Sequence, residues 1–300
     1  MAESPESFDL NGYLAPRRAR VEVILKERLE GMAGQVPTLL LDAMRYSLMA
    51  GGKRLRPVLC LSFAEAVSRP NPVSRVAEDA ACALEMMHTY SLVHDDLPSM
   101  DNDDLRRGMP TNHKVFGEST AVLAGDALNT DAFTVLSLGD EPSRLALCRE
   151  LSTAAGAMGM VGGQILDLAP DRPAEEGYLL RLHRGKTGAL IRAACRMGVI
   201  AASGTHAQLE AAGAYGEAVG LAFQIADDIL DVEADPTQLG KPTGADAAAG
   251  RHTFPAVLGM KRSKDMAREL VERASAAVEP LEGKNGPLAA LARYSVERKS

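Results

Sequence analysis

The sequence predicts an all-α fold. Apolar residues recur at helical spacing along nearly the whole chain, and the alternating Val, Ile and Thr runs that would indicate strands are missing. With 300 residues, of which 46% are hydrophobic and 24% charged, the chain has the composition of an ordinary globular protein. Because no Pro/Gly/Ser-rich linker divides it, we expect one large helical domain over residues 1–300.

Several helices can be placed from their sequence patterns. Residues 39–49 are amphipathic and are followed by Gly51-Gly52, a pair that typically ends a helix. Residues 76–93 and 121–138 are apolar on most faces, which predicts helices buried inside a large bundle. The capping-box pattern Thr205-His206-Ala207-Gln208 predicts the start of another helix. We expect the longest irregular stretch at residues 236–251.

Composition excludes several classes of protein. The four cysteines are widely separated and lack metal-site spacing, so we expect reduced thiols in a cytoplasmic protein. The first ten residues carry three acids and no apolar stretch, which argues against a signal or transit peptide. No apolar run approaches about 18 residues, so no membrane span is expected. A net charge of −7 argues against general nucleic-acid binding.

The acidic residues are concentrated in two clusters. Residues 95–104 and residues 227–235 each hold five of the 40 acids, far more than an even distribution would place there. In the first cluster, Pro98 should end the preceding helix and let Asp101 fold back toward Asp95.

In the second cluster, Asp227 and Asp231 are four residues apart and share one face of a half-buried helix. Either cluster alone could be a solvated loop, but adjacent buried carboxylates require a counter-charge. Two such clusters, each at the end of an apolar helix, favour a metal site. The oxygen donors select a hard ion, Mg²⁺ above Mn²⁺ or Ca²⁺.

Cationic side chains near these clusters could bind phosphate. Arg106 and Arg107 directly follow the first cluster, and arginine forks bind phosphate through two hydrogen bonds. The other candidates are Lys53, Arg56, Lys186 with Thr187, Lys241 and Arg251. Each alone could equally be a surface charge, for example one that complements a helix C-terminus.

His88 lies seven residues before Asp95 and therefore on the same helix face. It could be a core histidine or a substrate contact. Metal-bound carboxylates, several cations and an apolar interior together favour a diphosphate ester with a hydrocarbon tail as the substrate. Metal ions and cations would stabilise the departing diphosphate, and the apolar walls would keep water from the carbocation.

Three segments resemble the trans-isoprenyl diphosphate synthases. They are residues 88–101 followed by Arg106-Arg107-Gly108, then Gly125-Asp126-Ala127-Leu128, then residues 223–231, which read Phe-Gln-Ile-Ala-Asp-Asp-Ile-Leu-Asp. The similarity is greatest to the bacterial farnesyl and the related geranylgeranyl diphosphate synthases. It implies an isoprenoid synthase bundle with a central apolar cavity, usually a homodimer, that joins isopentenyl diphosphate head-to-tail to an allylic diphosphate.

The resemblance also implies a role for each matching residue. Three Mg²⁺ ions would be held by Asp95, Asp101 and Asp227, with support from Asp96, Asp228 and Asp231. The allylic diphosphate would be contacted by Arg106, Lys186, Thr187, Gln224 and Lys241. Isopentenyl diphosphate would be held by Lys53, Arg56, His88 and Arg107. Arg251 stands where the family usually has lysine, and a guanidinium fork has a different geometry.

Product length should depend on how far a growing tail can extend beside the helix before Asp95. Tyr90 lies about 7.5 Å before it along the axis, where its ring could close the cavity, whereas the adjacent Ser91 is too small. By resemblance, an aromatic residue here favours a farnesyl (C15) product. Residues 100–104 and 111–114 are also common among geranylgeranyl (C20) synthases, so that alternative stays open.

Three other classes of protein are compatible with parts of the pattern. A terpene cyclase would need aromatic residues to stabilise carbocations, and the chain has only six Tyr, six Phe and no Trp. A di-iron bundle would need Glu-x-x-His pairs beside the clusters. A non-catalytic partner subunit of a heteromeric synthase would be expected to have lost one aspartate motif, and both are intact here.

Overall fold

The computed structural model of the chain describes residues 8–233 and 252–297. Within these ranges, helices carry almost the entire fold, which confirms the predicted all-α class. The helices are α1 (Leu10–Gly31), α2 (Thr38–Leu48), α3 (Leu55–Ser68), α4 (Arg75–Asp95), α5 (Asn112–Phe116), α6 (Glu118–Leu136), α7 (Ser143–Ala155), α8 (Met160–Asp167), α9 (Glu176–His183), α10 (Ala189–Ala201), α11 (His206–Glu233), α12 (Phe254–Leu258), α13 (Met260–Glu282) and α14 (Pro287–Glu297). A π-helical turn, Arg184–Gly188, joins α9 to α10.

Helix α4 lies at the centre of the bundle and packs against α3, α6 and α10. Its alanines let neighbouring helices approach closely, and Ala80, Leu84 and Met87 are fully buried. The Ser74 hydroxyl caps its N-terminus by accepting a hydrogen bond from the Ala77 amide. The prediction of a buried helix over residues 76–93 is therefore confirmed.

Helix α6 differs from its prediction. It buries Ala121, Ala124 and Leu128 against α4, but Val122 and Leu123 on the other side are exposed, Leu123 at 58%. The expectation that this helix is buried on most faces was wrong. An apolar pattern shows which residues could be buried, but only the neighbouring helices decide which of them are covered.

The predicted helix boundaries at α2 and α11 are confirmed. Helix α2 ends just before Gly51 and Gly52, and both glycines have positive φ angles, of 78° and 121°. At the start of α11, the Thr205 amide donates to the Gln208 side chain (2.8 Å) and the Gln208 amide donates to the Thr205 hydroxyl (3.3 Å). The capping box is thus formed as the sequence predicts.

A short hairpin, which the sequence did not predict, follows the first aspartate cluster. Strands β1 (Leu105–Arg106) and β2 (Met109–Pro110) pair antiparallel through a turn at Arg107 and Gly108. Both turn residues have positive φ angles, of 55° and 77°, which is the geometry of a type I′ turn. Two-residue strands leave no period-two pattern to read.

The core contains buried ion pairs as well as apolar side chains. Asp79 of α4 is 2% exposed and accepts from Arg28 of α1 (2.7 Å) and Arg144 of α7 (3.1 Å), so it links three helices. The four cysteines carry free thiols, and three of them are buried. Across residues 8–233 and 252–297, no helix has the length and apolar character needed to cross a membrane. The stretch 236–251 lies outside the described residues.

Candidate active site

The first aspartate cluster is a compact turn at the end of α4. The Asp101 amide donates to the Asp95 carbonyl at 2.8 Å, so the chain folds back after Pro98 as the sequence predicts. The Asn102 amide donates to the Leu97 carbonyl at 3.1 Å and stabilises the same turn. Asp95 and Asp101 are thereby held close together at the mouth of the bundle.

Asp96 does not line the apolar cavity that Asp95 lines and lies instead in a small pocket with Arg106 and Arg107. Its carboxylate is 3% exposed and accepts a hydrogen bond from Arg106 Nε at 2.9 Å. Arg106 also donates to Asp103 at 3.2 Å. This pair fixes the hairpin to the end of α4, and the metal-supporting role of Asp96 stays a prediction.

The second cluster lies near the C-terminal end of α11. Asp227 and Asp231 are one turn apart on a partly exposed side of the helix. Asp228 is buried and accepts from the Phe254 amide (2.9 Å) and the Gln224 side chain (3.1 Å). It thus anchors the start of α12 to α11, and the metal-ligand roles of all three stay predictions.

The π-helical turn at Arg184–Gly188 carries Lys186 and Thr187 and is held by unusually close backbone packing. A Cβ atom on Gly163 of α8 would overlap the Lys186 amide nitrogen, and one on Gly220 of α11 would lie 2.8 Å from the Gly188 Cα. Because glycine has no side chain at these two positions, α8 and α11 can pack closely against the turn. The Thr187 hydroxyl donates to Gln224 Oε1, the side-chain amide oxygen, at 3.2 Å.

Two polar residues of α8, which the sequence reasoning missed, join these parts. Gln164 Nε2 donates to Asp95 Oδ1 at 2.9 Å, and Lys186 Nζ forms an ion pair with Asp167. The available signal was two polar residues three positions apart, hence on neighbouring sides of an otherwise glycine-rich and apolar helix. Helix α8 thus connects the first aspartate cluster to the lysine of the π-helical turn.

An apolar cavity of about 350 Å³ opens at this point. Asp95, Lys186 and Thr187 lie on its polar side. Its remaining walls come from α4, the loop after it, α8 and their neighbours. The apolar or aromatic side chains in these walls are Tyr90, Leu92, His94, Met100, Met160, Val161, Ile165 and Leu168. An ionic head group at the aspartates and a hydrocarbon tail along α8 would fit this arrangement.

A second cavity, of about 490 Å³, is lined by cations. Lys53, Arg56, Arg107 and His88 all face it, which places the four predicted ligands of one diphosphate together. Burial, with Arg107 nearby, lowers the pKa of Arg56 to about 10, and no acceptor in the described part of the chain satisfies its Nε. Burial also lowers the pKa of Arg107. Buried cations with lowered pKa values favour the binding of an anion.

The backbone around this second cavity is fixed by a buried arginine. Arg54 is 3% exposed and donates to Glu22 and Glu85, both at 2.6 Å, and to the Leu48 carbonyl at 2.8 Å. It therefore ties the loop before α3 to α1, α2 and α4. Arg107, at the tip of the hairpin, donates to the Gly51 carbonyl.

His88 is neutral in this site. Burial is the main cause, and Arg56 and Arg107 add to it; together they lower the pKa of His88 well below 6.5. It faces both cavities. This position favours substrate contact over the alternative of a core histidine.

The first cluster has the donor chemistry that Mg²⁺ requires. Burial raises the pKa of Asp95 to about 6, and the adjacent Asp101 and Asp96 add to the effect, although Lys186 and Arg106 oppose it. In the part of the chain that the structure describes, no three His, Cys, Asp or Glu side chains converge on one point. Mg²⁺ usually takes one or two carboxylates together with substrate phosphate oxygens, so Asp95 and Asp101 fit such a site.

Two predicted contacts, Lys241 and Arg251, lie outside the described residues, as does the basic terminus at residues 298–300. The other predicted site residues all lie on α4 or the turn after it, the hairpin, the loop before α3 or the first turn of α3, the π-helical turn or α11. They group at one end of the bundle, around the two cavities and the second aspartate cluster.

Comparison with known proteins identifies the family of the chain. The polyprenyl synthetase family model matches residues 37–283. The chain is 46% identical over 273 residues to the farnesyl diphosphate synthase of Escherichia coli strain K12, covering 87% of this chain and 90% of that protein. It is 47% identical over 301 residues to the chloroplastic geranylgeranyl pyrophosphate synthase 3 of Arabidopsis thaliana, covering 96% and 81%.

A solved structure agrees with these sequence matches. The apo crystal structure of an FPP/GFPP synthase from Zymomonas mobilis superimposes with a TM-score of 0.83 at 36% identity, covering 96% of this chain and 99% of that one. The chain therefore belongs to the polyprenyl synthetase family and is a prenyltransferase of the trans-prenyl diphosphate synthase type. The predicted resemblance is confirmed.

Proposed function

We propose that the chain condenses isopentenyl diphosphate with dimethylallyl and then geranyl diphosphate, head-to-tail, to give (2E,6E)-farnesyl diphosphate. The observation that carries this proposal is one cavity with two unlike parts. Asp95, Lys186 and Thr187 offer ligands for a diphosphate and its metal ions, and the apolar walls run from there to Tyr90. We further propose that the enzyme acts in the cytoplasm as a homodimer, as is usual in the family.

Each substrate has its own binding groups. Lys53, Arg56 and Arg107 bind isopentenyl diphosphate, and neutral His88 lies between the two cavities. Lys186, Thr187 and Gln224 bind the allylic diphosphate, together with Arg106 and, beyond the described residues, Lys241. Two binding sites that meet at His88 and Arg56 bring the isopentenyl double bond to the allylic carbon.

The reaction proceeds by departure of the allylic diphosphate. Asp95, Asp101 and Asp227 would hold Mg²⁺, which would supply charge stabilisation for the leaving group. Lys186 and Arg106 add positive charge to the same oxygens, and the methionine and aliphatic walls exclude water from the allylic cation. The isopentenyl carbon then forms the new bond, and the released diphosphate takes the proton lost from it.

A geranylgeranyl product is the alternative. The similar curated proteins include both farnesyl and geranylgeranyl synthases, so family membership alone leaves the choice open. The ring of Tyr90 favours the shorter product because it is 9% exposed and faces the apolar cavity. A C20 tail would need the space that this ring occupies.

The test is incubation of the protein with dimethylallyl diphosphate, isopentenyl diphosphate and Mg²⁺, with the products sized by chromatography. A linear C15 diphosphate is expected, and its formation should stop when EDTA removes the metal. Asp227→Asn should reduce the rate strongly, whereas Asp140→Asn, an exposed acid in the loop after α6, serves as the matched control. Absence of condensation would overturn the enzymatic proposal, and a cyclic hydrocarbon would favour a cyclase.

A further inference from the structure

We propose that His94, which lies in a notch left by Gly125 of α6, holds the Tyr90 ring across the cavity and so determines the length of tail that the cavity accepts. This inference rests on the proposed function and deepens it, because it names how the floor of the tail-binding cavity is fixed. His94 is a positioning residue in this scheme, and Tyr90 is the residue that meets the tail.

His94 contacts Tyr90 directly. The two residues are four positions apart on α4, hence on the same helix face, and both line the apolar cavity. Their ring centroids are 5.6 Å apart and the planes are perpendicular, which is the favourable edge-to-face geometry. Tyr90 therefore has an aromatic neighbour on the metal-binding side that limits its movement toward Asp95.

His94 is itself fixed from the other side by α6. Its Nε2 lies 3.0 Å from the Val122 carbonyl oxygen. A carbonyl can only accept, so this hydrogen bond places the imidazole proton on Nε2. The bond crosses from α4 to α6 and sets the orientation of the ring.

Gly125 makes room for this arrangement. A Cβ atom at position 125 would overlap His94 Nε2 and Cδ2, so any side chain there would displace the imidazole. Displacement would break the bond to Val122 and change the contact with Tyr90. Gly125, His94 and Tyr90 thus form one unit, which we call the floor unit, across two helices.

A competing role for His94 would be to position its neighbour Asp95. The structure gives Asp95 another partner for that purpose, because Gln164 donates to its carboxylate at 2.9 Å. The two roles predict different results. Loss of a floor support changes selectivity among tail lengths, whereas loss of metal-ligand alignment weakens binding of every tail equally.

The test measures binding without turnover. Unreactive allylic thiolodiphosphates with C10, C15 and C20 tails are titrated with Mg²⁺ into the wild type, His94→Ala, Gly125→Ala and the double variant. The readout is the ratio of C20 to C10 affinity. His94→Phe, which keeps a ring in the notch, is the conservative variant, and Leu123→Ala, an exposed neighbour on α6, is the control.

We expect His94→Ala and Gly125→Ala each to raise this ratio at least tenfold, and the double variant to add little because both remove the same support. His94→Phe and Leu123→Ala should stay within threefold of the wild type. If Gly125→Ala does not fold, judged by thermal unfolding, the two His94 variants decide the question.

Ratios within twofold of the wild type in a folded His94→Ala protein overturn the proposal, as does an equal loss of affinity for all three tails. The proposed product is judged separately by the chromatographic assay. A wild type that makes C20 or makes nothing refutes the farnesyl proposal, and the affinity ratios still decide whether His94 controls tail selectivity.

Discussion

Tyr90 projects into the apolar cavity about 7.5 Å before Asp95 along α4. Burial raises the pKa of its hydroxyl, and Asp95 adds to this, so the ring is neutral and presents an uncharged surface to a hydrocarbon. Ser91 beside it donates its hydroxyl to the His88 carbonyl at 2.8 Å and leaves no bulk in the cavity. At the scale of single residues, Tyr90 has the size and position to stop a growing tail.

Tyr90→Ala should lengthen the product from C15 toward C20 and beyond, because removal of the ring opens space further along α4. Ser91→Ala is the matched control and should leave the product length unchanged. Products of both variants are sized by chromatography under identical conditions. Unchanged C15 output from Tyr90→Ala would show that another residue forms the floor.

Arg56→Gln should weaken the binding of isopentenyl diphosphate and leave the binding of the allylic substrate largely unchanged. A charge-assisted hydrogen bond is worth about 1.5–3 kcal/mol, so KM for isopentenyl diphosphate should rise roughly 10–100-fold. KM for geranyl diphosphate should change much less. Arg20→Gln, at an exposed ion pair with Glu78, is the control. An equal rise in both KM values would contradict separate sites for the two substrates.

At the scale of elements, the π-helical turn depends on the absence of a side chain at Gly163. Gly163→Ala places a methyl group against the Lys186 amide and should cost about 1–3 kcal/mol of unfolding free energy. Because the turn carries Lys186 and Thr187, kcat should also fall at least tenfold. Urea unfolding and steady-state kinetics measure the two effects.

Gly177 provides the matched comparison for Gly163. It lies in α9, and a Cβ atom there would meet no atom of the described residues within 4 Å. Gly177→Ala should therefore raise the unfolding free energy by about 0.5–1 kcal/mol and leave kcat unchanged. If the two variants behave alike, close packing of α8 on the turn is not what holds Lys186.

The elements differ in how far the sequence could predict them. The return of Asp101 toward Asp95 and the capping box of α11 were predictable, since both arise from residues close together in the chain. Gln164 and Asp167 were missed because their partners are 69 and 19 residues away. The exposed face of α6 was missed because burial depends on which helices pack beside it.

At the scale of the whole molecule, stability should fall in acid partly because of one buried histidine. His183 packs against Phe254 with ring centroids 5.4 Å apart, and neither ring nitrogen has a hydrogen-bond partner among residues 8–233 and 252–297. Burial lowers its pKa from 6.5 to about 4, with Lys186 adding and Asp167 opposing. The folded state therefore keeps His183 neutral at a pH where the unfolded state is protonated.

Since the folded pKa is the lower one, stability is lost as the pH falls below about 6.5, and the loss levels off near pH 4. Between pH 7.5 and 5 this single group should account for about 2 kcal/mol of unfolding free energy. Urea unfolding of the wild type and of His183→Gln at pH 7.5 and pH 5 isolates the contribution of His183, because other groups contribute equally to both proteins. Identical pH dependence in the two proteins would mean that His183 is not the source.

The net charge of the chain is explained by its two acidic clusters. Ten of the 40 acids lie in the two aspartate clusters, so the net charge of −7 comes from these two short segments of the chain. The bundle fold and the aspartate clusters were accessible from the sequence. The pairing of Gln164 with Asp95 and the close contact of His94 with Gly125 could not be predicted, since contacts between helices leave no periodic signal in the sequence.

If the cavity closes behind a C15 tail, the enzyme should distinguish between two allylic acceptors that differ by one isoprene unit. Geranyl diphosphate and farnesyl diphosphate are offered separately, each with labelled isopentenyl diphosphate and Mg²⁺. Geranyl diphosphate should be extended by one isoprene unit. The rate of label incorporation into farnesyl diphosphate should be far below the rate for geranyl diphosphate. Efficient extension of farnesyl diphosphate to C20 would contradict the claim.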